Sequence, residues 1–82
     1  AVARLENEEE CYRFFEDLCT INELQAMAQR YEVARMLKKG DTYIAVAEKT
    51  GASSATISRV NRCLLYGAKG YNIAIERENA EE

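Results

Sequence analysis

Apolar positions along the chain recur at helical rather than strand spacing. Leu5, Tyr12, Phe15 and Cys19 fall on one helical row, and Cys11, Phe14 and Leu18 fall on a second. This predicts a helix over Leu5–Cys19 with two apolar stripes, more than one face of a small domain needs. Thr20 and Glu23 then form a capping-box pattern, which opens a helix running to about Lys39. Lys38 and Lys39 complement the carbonyl end of its dipole, and Gly40 stops it. Leu24, Met27, Tyr31 and Ala34 make one stripe of this helix, whereas Val33, Met36 and Leu37 lie on another side. Two successive helices with apolar surface wrapped around them favour an interlocked dimer.

Past Gly40 the pattern shortens. Thr42 is an N-cap for a helix over Tyr43–Thr50 that ends at Gly51, and Ser53 caps a helix running to about Leu65. A turn over Tyr66–Gly70 leads to a last short helix begun by Tyr71, Ile73, Ala74 and Ile75, which dissolves into the polar, frayed tail ENAEE. The expected fold class is all-α, a single helical domain over 1–82. Residues 5–41 are its dimerisation helices, 42–65 a helix-turn-helix, and 70–82 a C-terminal helix and tail.

The segment Thr42–Arg62 carries the chemistry. A helix-turn-helix needs a small residue where its helices cross, which Ala47 supplies, and a turn residue tolerant of positive φ, which Gly51 supplies. At about 100° per residue, Ile57, Val60 and Leu64 face inward with Ala52. Ala55, Ser58, Arg59 and Arg62 gather on the opposite side. The N-terminal part of a recognition helix reaches base edges. Here that part is Ser53, Ser54, Ala55 and Ser58, whose size lets a helix seat deeply in a major groove and read through hydroxyls, methyls and water. Lys49, Thr56 and Arg62 suit phosphate contacts, and Tyr43 is placed to touch the DNA backbone. A plain helical hairpin with a glycine turn is the simpler alternative.

The net charge of −3 looks wrong for a DNA binder until it is divided along the chain. Residues 1–20 hold two basic and six acidic side chains, residues 21–75 hold eight and four, and residues 76–82 hold one and four. The positive charge therefore sits with the motif, and a local patch governs phosphate binding. Histidine is absent, and Cys11, Cys19 and Cys63 form no metal-ligand pair and no complete disulfide set. The three are expected to be buried small hydrophobes in a reduced, cytoplasmic chain. No membrane span, secretory signal, metal site or catalytic constellation is expected, so the chain does not read as an enzyme.

The stretch ELQAMAQRYEVARMLKKGDTYIAVAEKTGASSATISRVNRCL resembles the tryptophan repressor superfamily, and within it the YerC/YecD branch of Trp-repressor-related proteins. The resemblance covers about residues 5 to 78. Its most specific parts are Ala55-Thr56-Ile57-Ser58-Arg59 and Arg30. It implies an all-α intertwined homodimer, a cytoplasmic transcriptional regulator (a repressor) on a palindromic double-stranded DNA operator. It also implies a place for an amino-acid-like corepressor, with Arg30 and Arg59 at the ligand-holding arginines and Thr20 at a helix-start threonine. Val60 stands where the tryptophan repressor has a glycine beside the indole, and would intrude on that pocket. Cys63 stands where it has a serine. The alternatives left open are that Arg30 pairs with a carboxylate and Arg59 with a phosphate. A protein-interaction adaptor built on the same motif is the second functional class.

Overall fold

The computed structural model describes residues 1–81 and is helical throughout; Glu82, the end of the expected tail, lies outside the described residues. A single 3-10 turn, Val2–Arg4, precedes α1 (Glu8–Leu18), α2 (Ile21–Lys39), α3 (Tyr43–Thr50), α4 (Ser54–Tyr66) and α5 (Gly70–Ala80). The long α2 is the platform, and α3 and α4 pack on its C-terminal half.

Capping sets most boundaries. The Thr20 hydroxyl accepts from the Glu23 amide while the Glu23 carboxylate accepts from the Thr20 amide, at 3.1 and 2.8 Å. The backbone and side-chain hydrogen bonds of Thr20 together hold the Glu23 carboxyl below its ordinary range. Gly40 ends α2 at φ 105°, a left-handed conformation that glycine adopts without strain. Thr42 and Ser53 cap α3 and α4 through the amides of Ala45 and Thr56.

Three boundaries differ from expectation. The first helix starts at Glu8 instead of Leu5, because the Asn7 side chain accepts from the Glu10 amide and the Glu10 carboxylate in turn accepts from the Glu6 amide. These two bonds cap the helix so that three glutamates lie in the first turn, where the helix dipole favours them. The fourth helix runs one residue further, to Tyr66. The last helix does not dissolve at the start of ENAEE but continues to Ala80. Its polar residues find partners across the helix seam that periodicity cannot show. The Tyr31 hydroxyl donates to Glu78 at 3.1 Å, and Arg35 pairs with Glu78 at 3.1 Å. Lys38 donates to the Asn72 side chain, and Asn72 donates to the Leu64 carbonyl. Tyr31 also stacks on Tyr71.

The core comprises Val33, Ala34 and Met36 from α2, Val46 from α3, Ala52 from the turn, Ile57 and Val60 from α4, and Ile75 from α5. Expected stripe residues outside this set are far less covered. Leu24 and Tyr31 are half-buried and Met27 is exposed. None of α1's residues is buried. Tyr12, expected in a core or a dimer interface, is 65% exposed. Cys11, Cys19 and Cys63 are free thiols and half-buried, less covered than expected.

The α4–α5 joint is tight. A Cβ added to Gly67 would lie 2.5 Å from the Cys63 carbonyl oxygen and 2.9 Å from the Cys63 Cα, both backbone atoms. Gly67→Ala should therefore destabilise the fold by roughly 1–3 kcal/mol, measured as a lower midpoint in urea at unchanged slope. The Tyr31 contact has a pH signature. Burial, reinforced by the hydrogen bond to Glu78, raises the Tyr31 phenol above its ordinary pKa of 10.0. The folded state binds this proton more tightly than the unfolded chain, so the stabilisation is complete below about pH 10 and is lost above it. Tyr31→Phe should reduce the fall in Tm between about pH 9 and 11; an unchanged alkaline slope would refute the assignment.

Candidate nucleic-acid interface

The turn between α3 and α4 is stitched by its own side chains. Gly51 takes φ 71° and donates its amide to the Ala47 carbonyl. The Thr50 hydroxyl donates to the Val46 carbonyl at 2.7 Å and accepts from the Ala52 amide at 3.2 Å. Ala52 is buried under the turn and Ala47 is half-buried against the core, so both small residues sit where the helices meet. Gln29, midway along α2, donates to the Thr50 carbonyl at 3.0 Å.

On α4 the inward row is closed, with Ile57 and Val60 each 1% exposed and Leu64 packed against them. The outward row is open: Ser53, Ser54, Ala55, Ser58, Arg59 and Arg62 are all exposed. Thr56 is half-buried, and its hydroxyl accepts from Ser53 at 3.1 Å, which ties it into the cap more than into a free surface. Tyr43 and Lys49 are exposed on α3. The motif cations Lys49, Arg59 and Arg62 form no ion pair among the described residues, whereas Arg35, Lys38 and Lys39 do. One acid, Glu48, accompanies those three cations between Thr42 and Tyr66. The result is a ridge of small hydroxyl and methyl groups flanked by uncompensated positive charge, the pairing that phosphate attraction and groove readout require.

Two of the effector-type positions, Thr20 and Arg30, lie on the same helix and well apart along it. Thr20 caps α2 and Arg30 lies ten residues further along it, about 15 Å away at the rise of an α-helix. The Thr20 hydroxyl is already engaged by the Glu23 amide. Arg30 is exposed and forms no ion pair among the described residues. Val60 does not project into an open pocket. Its branched side chain is part of the core.

Two residues went unmarked in the sequence. Ile44 is 74% exposed at the start of α3, beside Tyr43. Its position off the inward row of Val46, Ala47 and Thr50 was the available signal. Gln29 had none, because its partner is a backbone carbonyl 21 residues away.

Two short helices crossing at alanines over a glycine turn, with an open cationic recognition row, define a helix-turn-helix regulator fold. The chain belongs to the Trp repressor family: the family model for the Trp repressor protein matches residues 1–79. It is 57% identical over 82 residues to the uncharacterised protein YerC of Bacillus subtilis strain 168, covering all of this chain and 79% of that one. Two crystal structures are similar in fold. A TrpR-like protein from Eubacterium eligens shares 56% identity at a TM-score of 0.90, over 96% of this chain and 81% of its own. A candidate Trp repressor from Staphylococcus aureus shares 51% at 0.88, over 95% and 78%.

Proposed function

We propose that this chain is a sequence-specific DNA-binding regulator, a repressor, that acts in the cytoplasm as a homodimer on a palindromic site. The observation that carries the proposal is the contrast along α4. Its inward row is sealed, and its outward row exposes small polar groups and the unpaired Arg59 and Arg62. Ser54, Ala55 and Ser58 read bases, while Lys49, Arg59, Arg62 and Tyr43 hold the backbone.

The dimer rests on different residues. Tyr12, Leu18 and Ile21 are 65%, 64% and 73% exposed along α1 and the start of α2. An apolar cleft of about 450 Å³, lined by Tyr31, Cys63, Ala68, Tyr71 and Ala74 among others, opens between α2, α4 and α5. Covering such surfaces with a second chain would remove them from water, and a helix-turn-helix dimer reads half-sites about 34 Å apart, one turn of DNA.

Binding to genomic fragments at several salt concentrations tests the DNA reading. Affinity should fall steeply with salt, and absence of binding at low salt would leave a protein-interaction adaptor as the better description. Arg62→Ala should weaken all sequences about equally and lower the salt slope by about one, whereas Ser58→Ala should change sequence preference. Light scattering at micromolar concentration should report twice the chain mass of 9.3 kDa; a folded monomer would refute the dimer.

A further inference from the structure

We infer that Gln29 is a positioning residue that sets the angle of the α3–α4 reading head on α2. The inference rests on the DNA-binding role proposed above. After Lys39, three residues lead into α3, and α3 doubles back so that its last residue, Thr50, lies beside Gln29. The eight residues of α3 span about 12 Å, and Gln29 precedes the end of α2 by about 15 Å, so the two segments match in length. The head is thus held at two points. One is covalent, through Gly40–Thr42. The other is the hydrogen bond from the Gln29 amide to the Thr50 carbonyl.

The second point matters because everything else joining α2 to the head is apolar. Val33, Ala34 and Met36 meet Val46, Ile57 and Val60 through non-directional contacts, which resist separation more than rotation. A hydrogen bond is directional, and this one ends on a carbonyl at the C-terminus of α3 that has no partner within its own helix. Thr50 passes the constraint on. Its hydroxyl holds the Ala52 amide, and Ala52 leads directly to Ser53, the cap of the recognition helix. Gln29 is half-buried and outside the outward row of α4, so it acts through Thr50 and not on DNA.

Gln29→Met keeps length and charge while removing the donor. Two measurements on the full chain distinguish a positioning role from a general stability effect. By amide hydrogen exchange, Gly51 and Ala52 should exchange roughly tenfold faster, while Val33 and Ala34 remain protected. Against DNA duplexes recovered with the unsubstituted protein, remade with half-site spacings altered by one or two base pairs, the variant should bind the best spacing about fivefold more weakly and discriminate less among spacings. Unchanged exchange at the turn, uniform acceleration in all helices, or an affinity loss equal at every spacing would each overturn the proposal. If the unsubstituted protein binds no DNA, the functional reading fails by itself, and the exchange result alone decides whether Gln29 holds the turn.

Discussion

The contact between α2 and the two short helices carries the rest of the structure. Val33 and Ala34 are fully covered, and Val46, Ile57 and Val60 close over them. At about 25 cal/mol per Å² of apolar surface, a handful of such side chains supplies most of what a chain this small can gain by folding. Ala34 allows the close approach, and Val33, Val46 and Val60 bring stiff side chains that lose little entropy on burial. Every functional feature is hung on this seam. The outward row of α4 faces solvent because its inward row is committed here, and Val60 is committed with it, in place of bordering a ligand space.

Much of this architecture was legible in the residues because capping and turn chemistry are local. Thr20 with Glu23, Gly40, Thr42, Gly51 and Ser53 each act within four residues of themselves, and each stands where the helix ends require. The inward and outward rows of α4 followed from helical geometry for the same reason. Features that depend on distant partners were not legible. The extension of α5 to Ala80 needs Tyr31 and Arg35 from α2, and the late start of α1 needs a cap in which Asn7 accepts from the Glu10 amide and Glu10 from the Glu6 amide, in competition with the apolar row through Leu5. Gly67 carries no sequence signal of its own, since its constraint is the Cys63 backbone one turn earlier.

The wrapped apolar stripes of α1 and α2 divide into two kinds on folding. Val33, Ala34 and Met36 enter this chain's own core, while Tyr12, Leu18 and Met27 remain accessible, as does Ile21 at the start of α2. The half of α2 that supports the motif is thus covered within one chain, and the half that precedes it leaves apolar side chains accessible. Charge follows a similar division, with acidic side chains concentrated toward both ends of the chain and Lys49, Arg59 and Arg62 on the motif.

Seven of the eight core residues lie between Val33 and Val60, a span of one long half-helix and two short helices joined by brief turns. Contacts this local need little loop closure, and proteins rich in them fold quickly. The order of assembly follows from the same arithmetic. The second half of α2 can collapse with α3 and α4 as soon as that stretch of chain is available, forming the reading head first. The N-terminal helix, which contributes no fully buried residue to that core, stands outside this first unit.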